Sequence, residues 1–338
     1  MKKLANELVQ NMQNLTAIKS IDIAIKNTKN NLEFPGQSIL DLPKIIPNEK
    51  LHSAIVVGAG PSLHINNSIK KILKSNYTGL IICSDGAFPH CLRNGLIPDI
   101  VVTLDPHPTR IVRWFGDTNL NQENKLKDDY FRRQDLDPDL GKQEISKNNE
   151  LIKTVNKLGK KINVAMATCV DISVTKRCRE ANMNIYWWNP LYDDISTENS
   201  ISRYVNSLNS YPCLATGGNT GTSSWVLGKS ILQIDKVALI GMDFGYAPGT
   251  SLDKTQYYKE LNELFGNKTD DAYIEIINPY TKEKWMTDPT YYWYKEKFLD
   301  LANNTNSSTY NCTEGGILFG EGIDFIKLDD FLNLSISE

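Results

Sequence analysis

The sequence predicts an α/β fold of the Rossmann-like, doubly wound kind: a mostly parallel sheet with helices on both faces, an N-terminal helical segment before it and a C-terminal lid-like region after it. Three observations predict this. Short apolar runs such as "AIVVG" (54–58), "GLIICSD" (79–85) and "DIVVTLD" (99–105) are rich in β-branched residues and apolar on both faces, as strands buried on both sides must be. Helical patterns separate these runs, the alternation that parallel crossover units require. The first run also ends in "GAGPSL", a glycine-rich corner that turns into a helix.

The elements follow in order. Residues 1–50 read as a helical extension, because Leu4, Leu8, Met12 and Leu15 recur at helical spacing and "DLPKIIPNEK" closes the segment with two prolines. The core is expected over 51–246. It starts with the strand at 54–58, a helix over 62–75, the strand at 79–85, a short helix in "AFPHCLRNGL" and the strand at 99–105. Residues 116–150 are polar and charged and read as an exposed, mobile insertion. A strand at 161–168, a helix over 171–182, a strand at 184–189, a loop and helix over 217–234 and a strand at 236–244 complete the core. Residues 247–338 read as the lid-like region. Within it lie an irregular aromatic stretch to about 290, a helix over 289–304, a short strand and turn at 309–316 and a closing helix over 323–334.

Composition narrows the function. The 338 residues carry a net charge of −3, so no global basic field recommends nucleic acid as a partner. The six cysteines form no CxxC pair and are expected reduced and mostly buried. The four histidines all lie in the first third of the chain, which disfavours a histidine-rich metal centre. Lys2-Lys3 precede an amphipathic pattern rather than a signal-peptide core, and no run approaches the roughly 18 apolar residues of a membrane span. The expectation is a cytoplasmic protein without a membrane span, with oligomerisation left open.

Several constellations point to a nucleotide. Gly58 and Gly60 allow close backbone approach, Pro61 suits a first helical position, and the amides from Ser62 onward would then face an anion. The corner is neither a GxGxxG fingerprint nor a Walker loop, and a tight turn without a ligand is the plain alternative. Asp85 and Asp105 end the second and third strands on the same edge, where doubly wound folds bind ligands; each alone could be a cap or turn residue. The loop "ATGGNTGTSS" supplies Gly217, Gly218, Asn219, Thr220 and Thr222, flexible backbone and uncharged donors able to cradle a phosphate or base. Asp243 and Tyr246 follow the strand at 236–244, and Glu314 precedes two glycines. Arg93, Arg110 and Arg113 could form a basic patch or a solvated face. The aromatic stretches at 186–188 and 291–294 read as core in preference to a stacking platform.

Together "VVGAGPSL", "SDGAFPHCLRNGLIPDIVVTLDP", "GGNTGTSSWVLG", "KVALIGMDFGY" and "YNCTEGGILFG" resemble the motility accessory factor family, which looks like flagellin glycosyltransferases using CMP-activated nonulosonic acids. The central part is similar to the 6-hydroxymethylpterin diphosphokinase MptE-like family. The GAGPSL corner and "GMDFGY" also resemble bacterial sialyltransferases with a single Rossmann-like domain. The resemblance implies a transferase acting on a nucleotide-sugar, with a glycan, protein or pterin as acceptor. It implies that Gly58, Gly60, Pro61 and Ser62 hold the nucleotide phosphate, that Asp85 and Asp105 face ribose, base or metal, and that Gly217, Gly218, Asn219, Thr220 and Thr222 contact the nucleotide from the opposite side. Tyr246 stands nearest to the sialyltransferase tyrosine that assists departure of the phosphate, with Tyr257 and Tyr258 in reserve. The family's lid histidine has no counterpart here, which leaves Asp243, Glu314 or His107 as the base, with Asp105 also a catalytic candidate. The glycosyltransferase reading requires no cofactor. The diphosphokinase reading requires ATP and Mg²⁺ on Asp85 and Asp105. A nucleotide-binding protein without catalysis is the third possibility.

Overall fold

The computed structural model describes residues 21–121, 123–124, 144–305 and 308–334; the helical pattern at 4–15 lies outside them. A helix over 21–31 comes first. The strands then run β1 (Gln37–Ser38), β2 (Ser53–Val57), β3 (Leu80–Ser84), β4 (Ile100–Thr103), β5 (Asn163–Ala167), β6 (Asn184–Pro190), β7 (Cys213–Leu214), β8 (Lys236–Ile240), β9 (Ile274–Ile277), β10 (Lys284–Thr287), β11 (Thr309–Asn311) and β12 (Asp324–Phe325). Ten of them build one sheet in the order β1-β6-β5-β4-β3-β2-β8-β11-β12, with β7 beside the end of β6. Every pairing in this sheet is parallel.

The sheet is buried on both faces: every residue of β2, β3 and β4 is buried. This is the reason for their continuous Val and Ile runs, each such side chain contributing about 1.5–3 kcal/mol on burial. The Thr220–Val226 helix packs across β2, β3 and β4. From β2 the chain steps outward through β3, β4, β5 and β6, then returns to the other flank of β2 with β8, β11 and β12. The winding therefore reverses between β2 and β8, and a crevice opens beyond the carboxyl ends of those two strands.

The structure departs from the sequence expectations in four places. The helix expected over 62–75 is split into Ser62–Ile65 and Ser68–Lys74, because Asn67 adopts a left-handed conformation (φ 50°) and Asn66 turns its amide to the carbonyls of Thr313 and Glu314. The polar stretch 116–150 is not all exposed. A helix, Glu144–Leu158, buries Asn148, Leu151 and Val155, and Asn148 exchanges two hydrogen bonds with the Asp117 backbone; residues 122 and 125–143 lie outside the described ones. The irregular stretch 247–290 contains a helix, Tyr258–Phe265, and the antiparallel β9–β10 hairpin. The closing helix is confined to Leu328–Leu334, since Asp324–Phe325 joins the sheet beside β11.

Candidate active site

The crevice at the reversal is a cavity of about 980 Å³. Four loops at the carboxyl ends of strands form its floor. After β2 come Gly58, Ala59, Gly60 and Pro61; after β3, Asp85 and Gly86; after β4, Asp105 and Arg110; after β8, Gly241 to Gly245. The other side supplies Tyr257, Glu260 from the Tyr258–Phe265 helix, and Tyr291, Trp293 and Tyr294 from the Pro289–Asn303 helix.

The β2 and β8 loops are locked together. The Gly60 amide donates to the Gly241 carbonyl at 2.8 Å. A Cβ on Gly58 would come within 2.4 Å of that same carbonyl oxygen, and one on Gly60 within 2.0 Å of Asp243 Oδ2. Both glycines are thus explained by close approach within the protein. The Ser62 amide and hydroxyl, assigned to a phosphate by the sequence, both donate to Asp243 Oδ2, at 3.2 and 2.8 Å. Ser62 is itself buried and does not line the cavity. The helix it begins has four residues, too few to build much of a dipole. An internal carboxylate, 181 residues away in sequence, takes the donors that were to hold the anion.

Asp243 is 2% exposed. Burial raises its pKa to about 7 against the two Ser62 hydrogen bonds, which lower it. Its Oδ1 is buried with no hydrogen-bond partner. Asp85 is held to about 7 by the same cause, opposed by hydrogen bonds from Thr103 Oγ1 and the Gly86 amide at 2.8 Å each, while nearby Asp105 raises it further. Asp105 is half-buried and accepts the His107 amide at 2.8 Å. His107 does not line the cavity; its Nδ1 accepts the Arg110 amide. Arg110 does line it, with a buried Nε that lacks a hydrogen-bond partner. The sequence does not distinguish Arg110 from Arg93 and Arg113; in the structure Arg110 lines the cavity, while Arg113 is buried off its wall.

The second glycine loop divides its labour. Gly218, Asn219 and Thr220 line the cavity, whereas Gly217 and Thr222 do not. Asn219 caps the Thr220–Val226 helix through the Thr222 amide at 2.8 Å and donates to the Thr222 hydroxyl. Gly218 sits at φ 84°, and a Cβ there would meet Trp293 and Tyr294 at 2.5 Å. The aromatic pair therefore rests directly on the glycine loop. Trp187, Trp188 and Tyr186 are buried in the sheet, but the 291–294 stretch, read as core, turns three of its rings to the cavity.

Two candidates fall away from the cavity. Tyr246 is 1% exposed; its hydroxyl donates to Asp288 Oδ2 at 2.6 Å and accepts the Gln256 amide. Asp288 in turn caps the Pro289–Asn303 helix through the Thr290 and Tyr291 amides. Tyr246 is thus an anchor for that helix rather than an acid at the cavity. Glu314 pairs with Lys71 at 3.1 Å and accepts the Leu328 amide, a strut between the 313–316 loop and the last helix. Of the reserve tyrosines, Tyr257 lines the cavity and shares a hydrogen bond with Tyr294, while Tyr258 does not line it.

A Mg²⁺ ion fits the pair Asp85 and Asp105 poorly. Both Asp85 oxygens already accept hydrogen bonds, and its burial favours the neutral acid over the ionised ligand a hard cation needs. Among the described residues no group of three or more His, Cys, Asp or Glu side chains is arranged to hold a metal ion.

Comparison with known proteins bears on this arrangement. Residues 23–121 match the family model described as 6-hydroxymethylpterin diphosphokinase MptE-like. A protein of Treponema pallidum (strain Nichols), described as uncharacterized, is 32% identical over 110 residues, 31% of this chain and 50% of that protein. The solved structure of the MAf glycosyltransferase from Magnetospirillum magneticum AMB-1 superposes on 94% of this chain and 41% of its own, with a TM-score of 0.55 and 15% identity. The match thus spans about half the length of the curated relative and less than half of the solved one, and the latter is a likeness of fold.

Proposed function

We propose that the protein transfers a glycosyl group from a nucleotide-activated sugar, a CMP-sugar in the first instance, to an acceptor hydroxyl. The observation that carries the reading is the cavity at the reversal of the sheet, lined by both Asp243 and Arg110, each of which has a buried polar atom without a hydrogen-bond partner inside the protein. Arg110 is the cation for the phosphate. Thr216, Asn219 and Thr220 add uncharged polar groups beside it, and the rings of Tyr291, Trp293 and Tyr294 offer an apolar wall for a base. In the transfer, the acceptor oxygen bonds to the anomeric carbon as the bond to the phosphate oxygen breaks with its electron pair. The acceptor proton passes to a carboxylate, with Asp105 half-buried and open to that role. Asp243 faces the departing phosphate. The shared fold with a glycosyltransferase supports this reading.

A second reading, diphosphokinase activity on a hydroxymethylpterin with ATP, is favoured by the family match over 23–121 and disfavoured by the poor fit of Mg²⁺ to Asp85 and Asp105. Isothermal titration with CMP and with ATP, each with and without Mg²⁺, separates them. The expected result is metal-independent CMP binding that Arg110→Ala weakens about 10- to 100-fold, the scale of one hydrogen bond to a charged group. Mg²⁺-dependent ATP binding with none for CMP would overturn the glycosyltransferase reading. Binding of neither would leave a fold without nucleotide chemistry.

A further inference from the structure

The cavity is poor in positive charge. Among the described residues its wall carries Arg110 against five acids, Asp85, Asp105, Asp243, Glu260 and Glu263. An anionic ligand entering it meets one guanidinium and an excess of carboxyl groups. Two residues of this wall each have a buried atom without a hydrogen-bond partner, Arg110 Nε and Asp243 Oδ1. The first can only donate. The second, when ionised, can only accept and would repel a ligand oxygen. When protonated it donates, and the proton must sit on Oδ1, because Oδ2 already receives both the amide and the hydroxyl of Ser62. A buried oxygen left without a partner is destabilising, and a proton shared with a ligand oxygen satisfies it.

We propose that the cavity takes up a phosphate-ester anion together with one proton from solvent, held on Asp243 Oδ1 and donated in a hydrogen bond to a ligand oxygen. The proposal rests on the glycosyltransferase reading only for the identity of the ligand as CMP. Burial places the ionisation of Asp243 near pH 7, so the uptake falls in the neutral range. Charged groups stand around Asp243 on several elements. Asp85 and Asp105 stand on the β3 and β4 loops, with Arg110 beyond them, and Glu260 and Glu263 on the Tyr258–Phe265 helix. On the elements behind it, Asp288 is bonded to Tyr246 and Glu314 to Lys71, and His64 follows Ser62. Asp85 shares the raised pKa and is the rival site for the proton.

The test is isothermal titration of CMP into the full chain at pH 8, where the phosphate monoester is already ionised (its second pKa is about 6), in two buffers of different ionisation enthalpy. Uptake of nearly one proton per CMP is expected. Between pH 7 and 9 the affinity should weaken by up to about tenfold per pH unit. Asp243→Asn, whose amide N–H replaces the acid O–H, should bind with buffer-independent heat and flat affinity. Equal heats in both buffers for the wild type would overturn the proposal, and so would uptake that persists in Asp243→Asn, which would assign the proton to Asp85. Parallel titrations with ATP and inorganic phosphate separate the two readings. If these bind with an Asp243-dependent proton and CMP does not, the nucleotide-sugar reading fails and the proposal stands. If CMP binds without a proton, the reverse holds. If none of the three binds, both fail.

Discussion

At the scale of single residues, the contact between Asp243 and Ser62 has a measurable consequence for stability. Burial in the folded protein raises the Asp243 carboxyl from its ordinary 3.8 to about 7, so the native state binds the proton more tightly than the unfolded chain. Its contribution is least costly below about pH 4 and erodes as pH rises toward 7, after which it is constant. Asp243→Asn removes the ionisation. Its stability relative to the wild type should therefore rise from pH 5 to pH 8, by about 3 kcal/mol, the roughly two pKa units between pH 5 and the folded value at about 1.4 kcal/mol each. Urea denaturation at the two pH values measures this, and an equal difference at both would refute it. That the variant is expected to gain stability while losing its proton is the usual bargain of a buried functional carboxyl. The sequence shows Asp243 at the end of a strand, but its partner stands 181 residues away, and no local spacing connects them. The same blindness placed Tyr246 and Glu314 near the chemistry. Both follow strand-end motifs, yet one is turned into Asp288 and the other into Lys71. Direction of a side chain, not its place on an edge, decides such cases.

Elements show a parallel contrast. Strands buried on both faces are legible because burial requires an unbroken apolar run, as in β2, β3 and β4. Two-residue strands such as β1 and β7 carry too little pattern to be seen. The Glu144–Leu158 helix was hidden by its polar surface; Asn148, Leu151 and Val155 are its buried stripe, and one of the three is an asparagine satisfied only by the Asp117 backbone. The Pro289–Asn303 helix is placed by a device invisible to periodicity, the Asp288 carboxylate shared between its first amides and Tyr246. Asp288→Ala should cost about 2–4 kcal/mol, combining a lost cap with a buried hydroxyl left without its acceptor. Asp288→Asn should recover most of it. Thermal melts of the two variants check the order, and equal melting temperatures would show that the anchor is not carried by this side chain. Gly218→Ala acts on the same element from the other side. It places a methyl group 2.5 Å from Trp293 and Tyr294 in a left-handed backbone (φ 84°), so the aromatic wall must shift, and nucleotide affinity should fall with little change in helix content by circular dichroism.

For the whole molecule, the order of the strands is what makes one cavity out of four separate loops. The doubly wound class was readable from alternation alone, but the reversal between β2 and β8 was not, because nothing in an apolar run says which neighbour it will take. The seam is sterically exacting. A Cβ on Gly58 meets the Gly241 backbone at 2.4 Å, where nothing flexible can yield, so Gly58→Ala should lower the melting temperature and disturb ligand binding together. The pairing of β2 with β8 also joins residues 53–57 to 236–240. On a ribosome, β2 through β6 can emerge and assemble while one flank of β2 still has no partner. That flank is a row of free amides and carbonyls on a strand apolar from Ala54 to Val57, the kind of edge that recruits other chains. It stays open until residue 240 clears the exit tunnel. A chain cut at 235 should accordingly be soluble only in the company of a chaperone, and supplying the remainder afterwards should rescue it poorly, because by then the vacant edge will have found a different neighbour.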